Sequence, residues 1–209
     1  KNNMKKLTAF IICLVLCLSF VACGESKTEN PGGDGQQTEQ KDNTNKTNPD
    51  DEPGTYTAED MISEIKQQFG VDVADIVNAK DVSGMTKKEQ TEFMTYLYNY
   101  AHYNGMTSED IIKNDMPGVS EKTEGLIKKE LEDKNFDNGT ADDKIEIGKD
   151  VTEKYSFYDY TETQAIEAVQ KRYDTTEEYA KAMLVDNGYY ETEDAAERSK
   201  ILYLLLVVY

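Results

Sequence analysis

The sequence has no tryptophan, one histidine, three cysteines and four prolines in 209 residues. A single histidine, His102, excludes a metal site built from several imidazoles. A serine triad would have to use it, and no Gly-x-Ser-x-Gly turn is present to offer the nucleophile. All three cysteines (Cys13, Cys17, Cys23) fall in the first 23 positions. No thiol beyond them can form a disulfide, a thiolate metal site or a nucleophile. Basic residues are also scarce, 23 Lys and Arg against 41 Asp and Glu, for a net charge of −18. Such a surface repels phosphate backbones and anionic lipid, which argues against a nucleic-acid partner. Nothing in the sequence calls for a cofactor or a metal, and the composition points away from an enzyme.

Uncharged runs are few, and the longest stands at the start. Lys5 and Lys6 precede sixteen uncharged residues from Leu7 to Ala22, followed by Cys23 and Gly24. A basic region, an apolar region and a small residue at the cut form an export signal, which lies outside the fold. Sixteen residues fall short of the ~20 needed to span a bilayer. The ending Phe20-Val21-Ala22-Cys23-Gly24 resembles the lipobox of bacterial lipoproteins, with Phe20 where leucine is usual. The resemblance implies translation from Met4, removal of residues 1–22, and lipid on the Cys23 thiol. The expected location is then extracytoplasmic, anchored to the membrane through that lipid. Stable attachment takes two acyl chains, since one holds a protein only marginally.

Residues 24–55 contain no aliphatic, aromatic, methionine or cysteine side chain at all, and hold three of the four prolines. A segment with no apolar surface to bury cannot offset its ordering entropy. Residues 23–56 are therefore expected to form a disordered linker, and residues 57–209 a single all-α domain.

Helix punctuation dominates that domain. Thr57 with Asp60, Thr86 with Glu89, Thr107 with Asp110, Thr161 with Gln164 and Thr175 with Glu178 have capping-box spacing. Gly70, Asn104-Gly105, Pro117-Gly118 and Asn187-Gly188 supply the stops. Met106 and Ile111 hold the staple positions around Thr107. Apolar residues recur at helical spacing: Met61, Ile62, Ile65 and Phe69; Phe93, Leu97, Tyr100 and Ala101; Ile166, Val169 and Tyr173. Leu126, Ile127 and Leu131 form a weaker stripe, and Ile145, Gly148 and Val151 a weaker one still. Seven or eight helices follow. The run from Ile201 to Tyr209 is apolar on every side and reads as a terminal helix sunk into the core, with a buried strand as second choice.

Three features bear on function. His102 falls near the C-terminal end of its helix, where the dipole favours partial positive charge, a structural role. Asp133, Asn135 and Asp137 space their oxygens like the start of a calcium loop. The turn glycine, Gly139, comes one place late, however, and Lys144 stands where a bidentate glutamate belongs. A polar turn is the plainer reading. Fourteen tyrosines are the most unusual feature. Tyr combines a rigid apolar ring with a polar tip, which suits adaptable contact surfaces. On the helix after Thr86, Tyr96 and Tyr103 lie off the Phe93–Leu97–Tyr100 stripe, which makes them the candidate peptide-binding residues.

The segment Leu97–Lys113, with its Tyr-rich helix, Gly105-Met106-Thr107 turn and acidic helix start, resembles the carboxy-terminal domain of trigger factor chaperones. Tyr173–Tyr179 and Arg198–Leu206 are similar to that domain's closing helices. The resemblance implies an all-helical cradle for unfolded polypeptide, like the helical part of SurA-type export chaperones. No ribosome-docking loop accompanies it, and no prolyl-isomerase domain fits in the chain. The expected function is a lipid-anchored, chaperone-like binder of extended polypeptide; the alternative is a non-catalytic lipoprotein that binds one surface partner. A solute receptor is disfavoured, since no βαβ pattern appears.

Overall fold

The computed structural model describes residues 49–208, and the fold is all-α. Among these residues nine α-helices form: α1 (Ala58–Phe69), α2 (Ala74–Asn78), α3 (Lys87–Tyr103), α4 (Ser108–Asp115), α5 (Glu121–Asp133), α6 (Ala141–Tyr155), α7 (Glu162–Tyr173), α8 (Glu177–Asp186) and α9 (Ala195–Tyr203). A π-helical turn, Leu204–Val208, continues α9. The only β pairing among the described residues is an isolated antiparallel bridge between Pro53 and Thr86. No helix of the described residues is long and apolar enough to cross a membrane. The export signal, Cys23 and the linker up to residue 48 lie outside the described residues. The described chain divides into two compact units, with the division inside α3 between Thr95 and Tyr96.

In the N-terminal unit, α1 starts at the expected capping box. Thr57 Oγ1 accepts from the Asp60 N–H and the Asp60 carboxylate accepts from the Thr57 N–H. The helix stops at Gly70, whose φ of 72° is the left-handed conformation glycine adopts without strain. Met61 and Ile65 are fully buried, and Val73, Val77, Val82 and Met94 complete the apolar interior. Packed structure begins at Glu52 rather than at Thr57. The Gly54 N–H donates to the Met85 carbonyl at 3.0 Å, and the Lys87 N–H donates to the Glu52 carbonyl at 2.7 Å. Below this extended segment lies Gln90, 2 % exposed. Its Oε1 accepts from the Tyr56 N–H at 2.9 Å, and its Nε2 donates to the carbonyls of Tyr56 and Val82. An apolar census of residues 24–55 misses this contact because it uses backbone, not side chains.

The C-terminal unit holds two apolar clusters. The first gathers Tyr103, Ile111, Ile112, Met116, Ile127, Leu131, Phe136, Val151 and Tyr155 from α3 to α6. Met106 packs against this cluster, of which Ile111 is a member. Gly148 and Val151 are buried here, so the weakest sequence stripe is a true core face. Leu126, grouped with Ile127 in the sequence, turns outward instead and is 37 % exposed. The second cluster joins α7, α8 and α9 through Ile166, Val169, Leu184, Tyr189, Leu202, Leu205 and Leu206. The apolar terminal run is thus a helix seated in a core. Tyr173 closes it by donating its phenol to the Leu205 carbonyl at 2.6 Å, within the π turn.

Capping follows the sequence at Thr57, Thr86, Thr107 and Thr161 and differs elsewhere, with Ser120 and Asp194 opening α5 and α9 without a sequence expectation. A box at Thr140 and Asp143, not anticipated, opens α6. The cap of α8 is Thr176, not Thr175. Asp174 ends α7 in the left-handed region at φ 48°, and the Thr175 N–H still bonds back to the Gln170 carbonyl. Thr175 therefore belongs to the outgoing turn. Between α6 and α9, the fully buried Ser199 accepts from the Phe157 N–H at 3.0 Å and donates to the Glu153 carbonyl at 3.2 Å.

Candidate functional site

The two tyrosines singled out in α3 have different fates. Tyr96 is half-buried, stacks loosely on Tyr100 with ring centroids 6.3 Å apart, and donates its phenol to Asp142 Oδ1 at 3.0 Å. Burial and the Asp142 carboxylate raise its pKa. Tyr103 is not a surface residue. It is 5 % exposed and sits inside the first cluster. The cause is Gly148 on α6: a Cβ there would lie 2.5 Å from Tyr103 Cδ1, so the missing side chain makes the slot that the ring fills. Burial, with the Asp115 carboxylate adding to it, pushes the Tyr103 phenol far above its ordinary value. A helical wheel of α3 alone cannot reveal a slot on another helix.

His102 stands beside it, its ring edge-on to Tyr103 with centroids 4.5 Å apart. His102 Nε2 lies 2.9 and 3.0 Å from the two Asp115 carboxylate oxygens, tying the end of α3 to the end of α4. The pair is mostly buried, so it adds a tertiary link to the dipole role expected from position alone.

The stretch Asp133–Gly139 is a structural turn. Phe136 at its centre is fully buried in the first cluster, and Asn135 holds the left-handed conformation at φ 54°. Asp137 Oδ1 accepts from the Ser108 N–H at 2.7 Å, so its carboxylate caps α4. Among the described residues no group of three or more His, Cys, Asp or Glu side chains could hold a metal ion. Asp159 does for α5 what Asp137 does for α4. It accepts from the Ser120 N–H at 2.6 Å and the Thr123 hydroxyl at 2.7 Å. Desolvation pushes its pKa up, but these hydrogen bonds outweigh that and hold it low.

A concave surface lies between α4 and α5. It is an open groove of about 430 Å³ whose floor is Ile112, Met116, Pro117 and Val119, with Glu109, Lys113, Glu124 and Lys128 on its rims. It is wide open, and Pro117 and Val119 are the apolar side chains that remain reachable in it, since Ile112 and Met116 are almost fully buried. Glu124 and Lys128, one turn apart on α5, are paired at 2.6 Å along one side.

No family model, curated protein or solved structure matches the chain. The site must be read from its own chemistry. The groove went unseen in the sequence because Pro117-Gly118 marks a helix stop equally well. After that stop, Met116, Pro117 and Val119 line the groove together with Glu124 and Lys128 of α5.

Proposed function

We propose that this chain is a lipid-anchored, extracytoplasmic bacterial protein whose helical part binds extended polypeptide without catalysis. The α4–α5 groove carries the binding half of this reading. Its apolar contact comes from Pro117, which is exposed, and Val119, which is half-buried, while Ile112 and Met116 belong to the first cluster. The α4 wall, with Glu109, Ile112 and Lys113, lies inside the segment that resembles trigger factor. The anchoring half rests on the signal from Met4 to Cys23. Tyr103 leaves the list of contact residues and the groove takes its place; Tyr96, half-buried and outside the groove lining, stays on that list.

The test uses the chain from Gly24 to Tyr209. At several-fold molar excess it suppresses aggregation of an unrelated unfolded protein, with neither ATP nor metal present. Val119→Glu, which puts a charge on the half-buried edge of the floor, weakens that effect. Absence of suppression by the unaltered chain moves the assignment to the second reading, a lipoprotein that binds one partner. That reading is favoured by Val185 and Tyr190, 57 % and 43 % exposed at the end of α8 and the turn after it. Lipidation is tested separately: Cys23→Ser abolishes labelling by a radioactive fatty acid, and equal label in both chains removes the anchor.

A further inference from the structure

Residues Glu52–Tyr56 are held by hydrogen bonds to their backbone. The groups that hold them are the Met85 carbonyl, the Lys87 N–H and both ends of the Gln90 amide. They meet Gly54 N–H, Glu52 C=O and both polar groups of Tyr56, every second residue, as an edge strand would. Pro53 sits at the bridge position opposite Thr86, where its missing N–H is not needed. The Lys87 N–H is one of the unsatisfied donors of the first turn of α3, so a helix end supplies part of the site. The side chains of Glu52, Pro53, Thr55 and Tyr56 are exposed. Gly54 lies directly against Gln90, and an added Cβ would fit only if the Gln90 amide left its hydrogen bonds to Tyr56 and Val82.

We propose that Met85, Lys87 and Gln90 form a binding site for an extended polypeptide strand with glycine at its centre, and that residues 52–56 occupy it in cis. A surface that reads backbone and one glycine accepts many sequences, which is how strand addition gains affinity. The site is distinct from the α4–α5 groove and stands whether or not that groove binds.

The experiment measures fluorescence anisotropy of a labelled peptide, Asp50–Thr57, against the full chain and three variants. Gly54→Ala and Gly54→Val put a side chain on the strap where the Gln90 amide now lies and so loosen the resident strap, with no change to the acceptor residues themselves. These chains bind the peptide saturably, at least tenfold more tightly than the unaltered chain, where the strap competes. Adding Gln90→Ala to Gly54→Ala weakens binding at least tenfold, and a peptide with alanine in place of its glycine does not bind. The proposal is overturned if neither Gly54 variant binds the peptide while keeping its helical circular dichroism, or if the Gln90→Ala double variant binds equally well. Unfolding of both Gly54 variants overturns it too, because the strap would then be an integral part of the fold.

Discussion

The two apolar clusters of the C-terminal unit are of similar make-up but are held in place differently. Around the first, polar links run between distant parts of the chain. Asp137 caps α4, Asp159 caps α5, and His102 meets Asp115. Glu130 takes Lys154, Lys134 and the Tyr155 phenol on one carboxylate, and Lys134 continues to Asp150 on α6. Around the second, each helix is capped by its own neighbour: Thr161 for α7, Thr176 for α8, Asp194 for α9. Its tertiary polar links are side-chain hydrogen bonds other than helix caps, from Tyr173 to the Leu205 carbonyl and from Tyr190 to Glu162. The contrast separates two ways of seating a helix. A local cap fixes where a helix begins, whereas a remote cap also fixes what it begins against.

The strongest way to break the contrast is to empty both cores. Phe136→Ala should cost about 3–5 kcal/mol and Leu202→Ala about 2–5 kcal/mol, because each leaves a cavity in a site with no exposed surface. Urea unfolding followed by circular dichroism reads both. A cost below 1 kcal/mol for Phe136→Ala would mean that its turn is peripheral to the first cluster.

Next comes the slot between α3 and α6. Gly148→Ala should destabilise by about 1–3 kcal/mol, since the new Cβ meets the Tyr103 ring. Combined with Tyr103→Leu, the two changes should be strongly non-additive, as expected for residues in contact. Additive losses would show that the ring and the glycine do not share the space.

The remote and local caps can be compared directly. Asp159→Ala should cost about 1–2 kcal/mol and Thr161→Ala about 1 kcal/mol. Acid should distinguish them. The folded-state pKa values of Asp159, Glu130 and Asp150 are lowered. Desolvation acts against this for Asp159 and Glu130 but is outweighed by their hydrogen bonds, and the Lys134 hydrogen bond leads for Asp150. Groups of this kind add stability above their unfolded values, 3.8 for Asp and 4.5 for Glu. They lose it as pH falls through the lower folded values. Stability measured from pH 5 downward should therefore fall less steeply in Asp159→Asn than in the unaltered chain, while Thr161→Ala keeps the original slope. The same slope in all three chains would remove Asp159 from the acid response.

The smallest effect is at Tyr96. Tyr96→Phe removes the hydrogen bond to Asp142 at a half-exposed site and should change stability by no more than about 0.5 kcal/mol. A larger loss would make α3 depend on a remote polar link as α4 and α5 do.

The helices and their ends were legible in the sequence where the signal is local. Thr57, Thr86, Thr107 and Thr161 act as the spacing says, because donor and acceptor lie three residues apart. Asp137 and Asp159 were opaque for the opposite reason: their partners are 29 and 39 positions away. Tyr103 was misplaced because its burial depends on an absent atom at position 148. The strap escaped notice because it is held through its backbone and not through apolar side chains, while Gln90 looks like any surface glutamine. The groove floor mixes residues from a helix end and a loop, and periodicity has no term for that.

Ser199 has a narrower consequence. One hydroxyl with no exposed surface serves two backbone groups of another helix end, so the alphabet available at that position is almost a single letter. Alanine would strand a donor and an acceptor, threonine would need room for a methyl, and cysteine would answer too weakly. A distant relative that keeps the α6–α9 junction should therefore be recognisable by a serine in the second turn of its last helix, even after the surrounding letters have drifted beyond alignment.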